Sequence, residues 1–306
     1  MTAGNDSKTT IAVLGPGGVG GLLGALLARG GNEVVCLAGE TTVDRIRERG
    51  LTVRSARFGT FSVPVRATTE LDEPVYACVV TVKSTSLEAA VERVSPALGD
   101  ALVVPFLNGV EHVGWLRDRY PAEQVVPATI QVESFRTAPG EIEHTSPFVS
   151  VELADGANNG RRVERLAERL QSAGIDVGMR DDETAMLWDK LSFLGPLALL
   201  TTHADAPVGI VRTDRRHDLI AVVHEVAAVA GKQGAEIDEA GVLTRVDGVP
   251  ETMKSSMQRD ASSGADIEVE AIGGAIVRAA ERADVAVPVT SRLVDDLRSR
   301  YRQRNG

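Results

Sequence analysis

Ile11-Ala-Val-Leu-Gly-Pro-Gly-Gly-Val-Gly-Gly21 reads as a short apolar strand running into a glycine turn, and Leu22 to Ala28 continues it as an apolar helix. Gly15, Gly17 and Gly20 match the spacing G-x-G-x-x-G. In such a unit the first glycine permits the tight turn and the second lets the backbone approach a pyrophosphate. The third lets helix and strand pack closely. The helix N-terminus adds N–H groups and a partial positive charge that suit phosphate oxygens. The stretch therefore predicts a dinucleotide cradle built by Gly15, Pro16, Gly17, Gly18, Val19 and Gly20. The plainer alternative is a glycine-rich turn with no ligand.

Working outward, the 306 residues suffice for about two domains. A net charge of −10, with acids and bases interspersed, argues against a nucleic-acid partner. Gly, Pro or charged residues break every long apolar run before it could span a bilayer, so no membrane segment is expected. Met1 to Thr10 is polar and lacks the apolar core of a secretory leader, which predicts a cytoplasmic protein. Cys36 and Cys78 lie in apolar runs and read as reduced core thiols. The five histidines have no ligand spacing, and no metal site is predicted.

Strand and helix patterns alternate through the first half. Strands are predicted at Thr10–Leu14, Glu33–Ala38, Val75–Val82, Ala101–Pro105 and Val125–Val132, with a hairpin over 51–65. Helices are predicted at Gly18–Arg29, Thr41–Arg49, Leu87–Val94 and Val110–Tyr120. Val75–Val82 is continuously apolar, as a strand buried on both faces should be. This order implies a parallel sheet flanked by helices. Short strands around Pro147, a helix at Val163–Ala173 and a strand at Ile175–Met179 follow. After Arg180 the pattern is helical, with helices starting at Glu183 and spanning 216–233, 236–246, 251–260, 265–284 and 290–302. The fold class is α/β: a Rossmann-like parallel-sheet domain over 1–180, followed by an all-α domain over 181–306.

Several residues invite chemistry. Lys190 lies in the apolar stretch Met186-Leu-Trp-Asp-Lys-Leu-Ser-Phe-Leu194. Partial burial there would bring a lysine pKa toward the working range of a general acid, whereas a surface lysine would do nothing. Asn108 and Lys83 follow predicted strands, where residues face a bound cofactor; each could equally be a turn residue. Ser255, Ser256, Asp260 and Glu268 flank Ser262-Ser-Gly264. Hydroxyls there could hold a carboxylate, or simply cap helices.

Six blocks together resemble the 2-dehydropantoate 2-reductase (ketopantoate reductase) family: Gly15-Pro-Gly-Gly-Val-Gly20, Thr81-Val-Lys83, Leu107-Asn-Gly109, Leu187-Trp-Asp-Lys190, Ser255-Ser-Met-Gln-Arg-Asp260 and Glu268-Val-Glu-Ala-Ile272. The resemblance covers essentially the whole chain, and the order of the blocks is more specific than any one of them. It implies reduction of a 2-oxo acid to a D-2-hydroxy acid with a nicotinamide cofactor, usually NADPH, with 2-dehydropantoate as first substrate. It implies Lys190 as general acid, Glu268 as its acidic partner and Ser256 as a substrate contact. Asn108 and Lys83 would sit on the cofactor side, Asn108 also near the substrate, and a homodimer is expected.

Three departures qualify what the resemblance implies. The family usually places asparagines four and eight positions after the lysine; here Leu194 and Ala198 stand there. Glu40 follows the second strand where NADP-using relatives carry an arginine, although Arg45 and Arg47 are close in sequence. An acid about 20 residues past the glycines suits a ribose 2′-hydroxyl and repels a phosphate, so NADH is the rival cofactor. Gly273-Gly274 replaces a usual Asn-Gly. The alternatives are an NAD-dependent D-2-hydroxy acid dehydrogenase acting on a more apolar 2-oxo acid, a 3-hydroxy acid dehydrogenase, or a non-catalytic nucleotide-binding sensor.

Overall fold

The computed structural model describes residues 9–154 and 160–302, so the polar start of the chain, read from sequence as a frayed tail, lies almost wholly outside the described residues. The chain forms two compact units. The first contains the residues up to Leu107 and His112–Glu183; the second contains Asn108–Glu111 and the residues from Thr184 onward. The second unit thus takes four residues from within the 1–180 stretch that the sequence suggests is continuous.

The strands of the first unit are β1 (Ile11–Leu14), β2 (Val34–Leu37), β3 (Leu51–Ser55), β4 (Gly59–Val63), β5 (Arg66–Thr68) and β6 (Ala77–Val80). They continue with β7 (Leu102–Pro105), β8 (Ala128–Gln131), β9 (Ser134–Ala138), β10 (Glu141–His144), β11 (Ser150–Ala154) and β12 (Asp176–Arg180). A five-stranded sheet runs β5-β2-β1-β6-β7, and every neighbouring pair in it is parallel. Every residue of β1, β2, β6 and β7 is buried, which is why these strands read as unbroken apolar runs rather than as alternations.

The other strands lie outside that sheet: β3 and β4 pair antiparallel as the hairpin expected over 51–65, within a four-stranded sheet β4-β3-β10-β9, and a three-stranded sheet runs β12-β11-β8. The predicted strand Val125–Val132 does not extend the parallel sheet. Its start makes one bridge to β7, with the Val126 N–H donating to the Val103 carbonyl at 2.9 Å. Pro127 then offers no N–H to continue a ladder, and the chain re-pairs antiparallel with β11. The helix Gly18–Arg29 lies against the four-stranded sheet, and Gly21 makes room for Ile142 of β10: a Cβ there would meet the Ile142 side chain at 2.7 Å.

Among the described residues the second unit contains helices and no strand. Glu183–Ala204 is its long first helix, buried on several faces from Met186 to Thr202. It runs on beyond Lys190 and through Pro196, because apolar burial all round stabilises a helix that a proline alone would interrupt. Helices Val208–Asp214, Arg216–Lys232, Glu239–Gly248, Ser256–Ser263, Ala275–Ala283 and Pro288–Arg302 pack with it around a core that includes Leu191, Leu199, Val222, Val226, Ile272, Ile276 and Leu293.

Caps explain where these helices begin. Asp238 accepts the Gly241 N–H at 3.0 Å and starts its helix three residues later than periodicity suggests. Ser255 accepts the Gln258 N–H at 3.1 Å and sets a start at Ser256 rather than Glu251. A buried glutamate, Glu225, caps Pro288–Arg302 from another helix: it accepts the N–H groups of Val289 and Thr290 at 2.9 and 2.8 Å and the Thr290 hydroxyl at 2.6 Å. The predicted helix 265–284 is a π-turn, Glu270–Gly274, leading into Ala275–Ala283.

Candidate active site

In the first unit the glycine turn follows β1 directly. Gly15 has φ +88°, a conformation that disfavours any side chain, and a Cβ there would meet Val82. Its N–H donates to the Leu37 carbonyl at 3.0 Å, which ties the turn to the end of β2. Gly17 is the N-cap of Gly18–Arg29 and supplies no capping side chain. The N–H groups of Gly18, Val19 and Gly20 belong to the first helical turn, where no carbonyl of the helix can accept them. A Cβ on Gly17 would come no nearer to its surroundings than 4.0 Å, so the backbone there is approachable. Gly20 has no such room, because a Cβ would run into the Thr81 hydroxyl and the Gly15 carbonyl. These residues fit a pyrophosphate: open amides, no competing cap and a helix N-terminus.

Two residues that sequence reasoning left without a role hold this turn. Thr81, just past β6, donates its hydroxyl toward the Gly15 carbonyl at 2.8 Å and the Leu14 carbonyl at 3.1 Å. Ser134, which opens β9, donates to the Gly18 carbonyl at 2.8 Å. Thr81 belongs to the Thr81-Val-Lys83 block, which drew attention through Lys83 alone; nothing in the sequence around Ser134 signals its partner, because the contact spans 116 positions. Lys83 precedes a short 3-10 turn, Ser84–Ser86, beyond the end of β6.

In the second unit the geometry gathers Asn108, Lys190 and Glu268. The Asn108 amide donates to Glu268 Oε2 at 3.0 Å, and the Glu268 side chain is buried. Burial pushes the Lys190 ammonium down from 10.5 to about 8, while the negative charge of Glu268 holds it from falling further. The Asn108–Glu111 segment is fixed at both ends. Glu111 receives Arg278 through Nη2 at 2.6 Å and Nε at 3.1 Å. Gly109 has φ +86° and lies so close to Ala271 that a Cβ would strike its carbonyl. Its lack of a side chain is therefore what lets Asn108 reach Glu268.

Leu194 and Ala198 follow Lys190 at helical i, i+4 and i+8 spacing and share its face; Leu194 is half-buried and Ala198 fully buried. Asp189 turns to Arg245 at 3.0 Å. Ser256 is exposed at the first position of its helix, while its neighbour Ser255 is buried and bonded to the Thr201 hydroxyl at 2.7 Å. Among the described residues no cluster of three or more His, Cys, Asp or Glu could hold a metal ion, and no helix is long and apolar enough to cross a membrane.

Two family models match this chain. Ketopantoate reductase PanE/ApbA matches residues 11–158, and ketopantoate reductase PanE/ApbA C terminal matches residues 182–300. The chain is 30% identical over 307 residues to a 2-dehydropantoate 2-reductase of Halobacterium salinarum, covering 97% of this chain and 99% of the relative. Among solved structures it is similar to a PanE/ApbA family ketopantoate reductase from Ralstonia eutropha, at 26% identity and TM-score 0.89, over 97% of this chain and 100% of that one. It also shares its fold with D-mandelate dehydrogenase, solved with NADH and anilino(oxo)acetate, at 22% identity and TM-score 0.91, over 97% of this chain and 100% of that one.

Proposed function

Because the chain belongs to the ketopantoate reductase family of oxidoreductases, we propose that it reduces the keto group of a 2-oxo acid to a 2-hydroxy acid, with 2-dehydropantoate the first substrate to test. The observation that carries this reading is the buried Glu268, hydrogen-bonded by the half-buried Asn108, beside a half-buried lysine whose pKa is brought to about 8. A reduced nicotinamide dinucleotide, when bound, supplies the hydride. Gly15, Gly17 and the first-turn amides of Gly18, Val19 and Gly20 would hold its pyrophosphate.

The chain's own residues handle the proton. As the substrate carbonyl carbon accepts hydride, negative charge grows on its oxygen. The Lys190 ammonium stabilises that charge and then gives its proton to the oxygen, taking another from solvent afterwards. A pKa near 8 places the donor close to the working pH, where a general acid is most effective. Glu268 opposes the neutralisation that burial would otherwise impose on Lys190, and the Asn108 amide fixes the carboxylate oxygen it binds. Ser256, at the exposed start of its helix, is offered as a carboxylate contact, and Lys83 as a cofactor-side residue.

The test is consumption of NADPH or NADH with 2-dehydropantoate and a panel of other 2-oxo acids. Lys190→Ala should keep cofactor binding and lower turnover by roughly 10²–10⁴-fold, the usual worth of a placed general acid. An unchanged rate would return Lys190 to a structural role. A more apolar 2-oxo acid is the second reading, favoured by the half-buried Leu194, which offers hydrocarbon one helical turn from Lys190.

A further inference from the structure

We infer that Glu40 makes this protein select NADH over NADPH, by accepting a hydrogen bond from a free ribose 2′-hydroxyl and repelling a 2′-phosphate. The inference rests on the dinucleotide reading of the glycine turn. It runs against the cofactor that the family resemblance implies, and it comes from where this chain puts its charges.

The glycine turn is tied to the end of β2 by the bond from the Gly15 N–H to the Leu37 carbonyl. The chain needs only Ala38 and Gly39 to pass from there to Glu40. Glu40 is the first residue of the helix Glu40–Arg49 and is exposed. Gly39 caps that helix without a side chain, so Glu40 is the first group beyond β2 with any reach. A carboxylate in this position, beyond the strand next to the pyrophosphate turn, is where an adenosine ribose is recognised in such folds. The N-terminus of a helix is also a favourable place for a negative charge.

The cations that could offset this charge are engaged elsewhere. Arg45, Arg47 and Arg49 occupy the C-terminal half of the helix, about 7 to 14 Å along its axis from Glu40 at 1.5 Å per residue. Arg45 pairs with Glu48 at 3.1 Å, and its stem packs near Gly140 in the β9–β10 turn. Arg47 donates through Nε to the Ala67 carbonyl on the edge strand β5 at 2.9 Å. Arg49 lies 3.6 Å from Glu48. Arg66 sits at the start of β5, away from the carboxyl ends of the strands, and pairs with Glu73 at 2.6 Å. Lys83 follows β6, which lies on the opposite side of β1 from β2, about 10 Å across the sheet. No arginine follows Leu37 closely enough to meet a 2′-phosphate there.

The test is direct titration of the full-length protein with NADH and with NADPH by calorimetry, needing no substrate. NADH should bind roughly 10- to 100-fold more tightly, the worth of one hydrogen bond to a charged group against its replacement by repulsion. Glu40→Gln, on an exposed residue, should fold normally and narrow that gap about tenfold. Binding of neither nucleotide would overturn the dinucleotide reading itself. NADPH binding as tightly as NADH, or tighter, would overturn the inference and leave the reading standing. A preference for NADH that survives unchanged in Glu40→Gln would also overturn it, since another group would then be making the selection.

Discussion

Replacing Lys190 by Met should stabilise the folded protein while removing its activity. Methionine keeps much of the apolar reach of the lysine stem and deletes the ammonium. Burial brings the Lys190 pKa from 10.5 to about 8, and each step of one in pKa corresponds to about 1.4 kcal/mol. Holding the lysine charged in the folded state therefore costs about 3 kcal/mol at neutral pH. Part of this gain is lost in the variant, because Glu268 keeps the Asn108 amide but loses the neighbouring positive charge. A net stabilisation of about 1–2 kcal/mol is expected.

The pH dependence sharpens the expectation. The folded pKa lies below the unfolded one, so the unfolded chain binds more protons between about pH 8 and 10.5. The penalty is complete below about pH 8 and fades as the pH rises to 10.5, so wild type should gain on Lys190→Met across that window. Urea unfolding is the assay, followed by the fluorescence of Trp188, buried two positions from Lys190, and by far-UV circular dichroism. A variant less stable than wild type at pH 7, or a stability difference that stays flat from pH 7 to 10.5, would refute the argument.

Three further outcomes are expected. Gly20→Ala should destabilise the first unit by about 1–3 kcal/mol and weaken dinucleotide binding, read by thermal unfolding and titration, because its Cβ meets the Thr81 hydroxyl and the Gly15 carbonyl. Leu194→Asn should shift kcat/KM toward polar 2-oxo acids and away from apolar ones by about tenfold or more, measured on a matched substrate pair. Glu225→Gln should cost about 1.5–3 kcal/mol in denaturant unfolding, because a neutral amide replaces a carboxylate that accepts three hydrogen bonds at the start of Pro288–Arg302.

The parallel sheet was legible because its strands are buried on both faces and so read as uninterrupted apolar runs. The glycine turn was legible because its chemistry is local: Gly15 needs its positive φ and Gly20 its missing Cβ. Strands β5 and β9 were missed because they are short and only partly buried, with pairing set by distant partners. The helix over Val208–Asp214 was missed because its seven residues carry too few turns to show a period. At the candidate site, Lys190 stood out through its apolar neighbours, and Asn108 through the Asn-Gly pair. What no pattern could show is that Asn108 and Glu268, 160 positions apart, share a hydrogen bond.

The four residues Asn108–Glu111 belong to the second unit although the chain on both sides belongs to the first. The backbone consequently passes between the units three times: after Leu107, after Glu111 and after Glu183. The covalent connection between the units is therefore three segments of chain and not one. A single nick after Glu183 would leave Glu111 still gripped by Arg278, and Asn108 by Glu268. Fragments 1–183 and 184–306 expressed together should copurify, and a Glu111→Ala change should loosen the pair. The fragment 184–306 alone would carry the lysine without the amide that holds its acidic partner, so this fold does not divide into two portable modules at any one peptide bond.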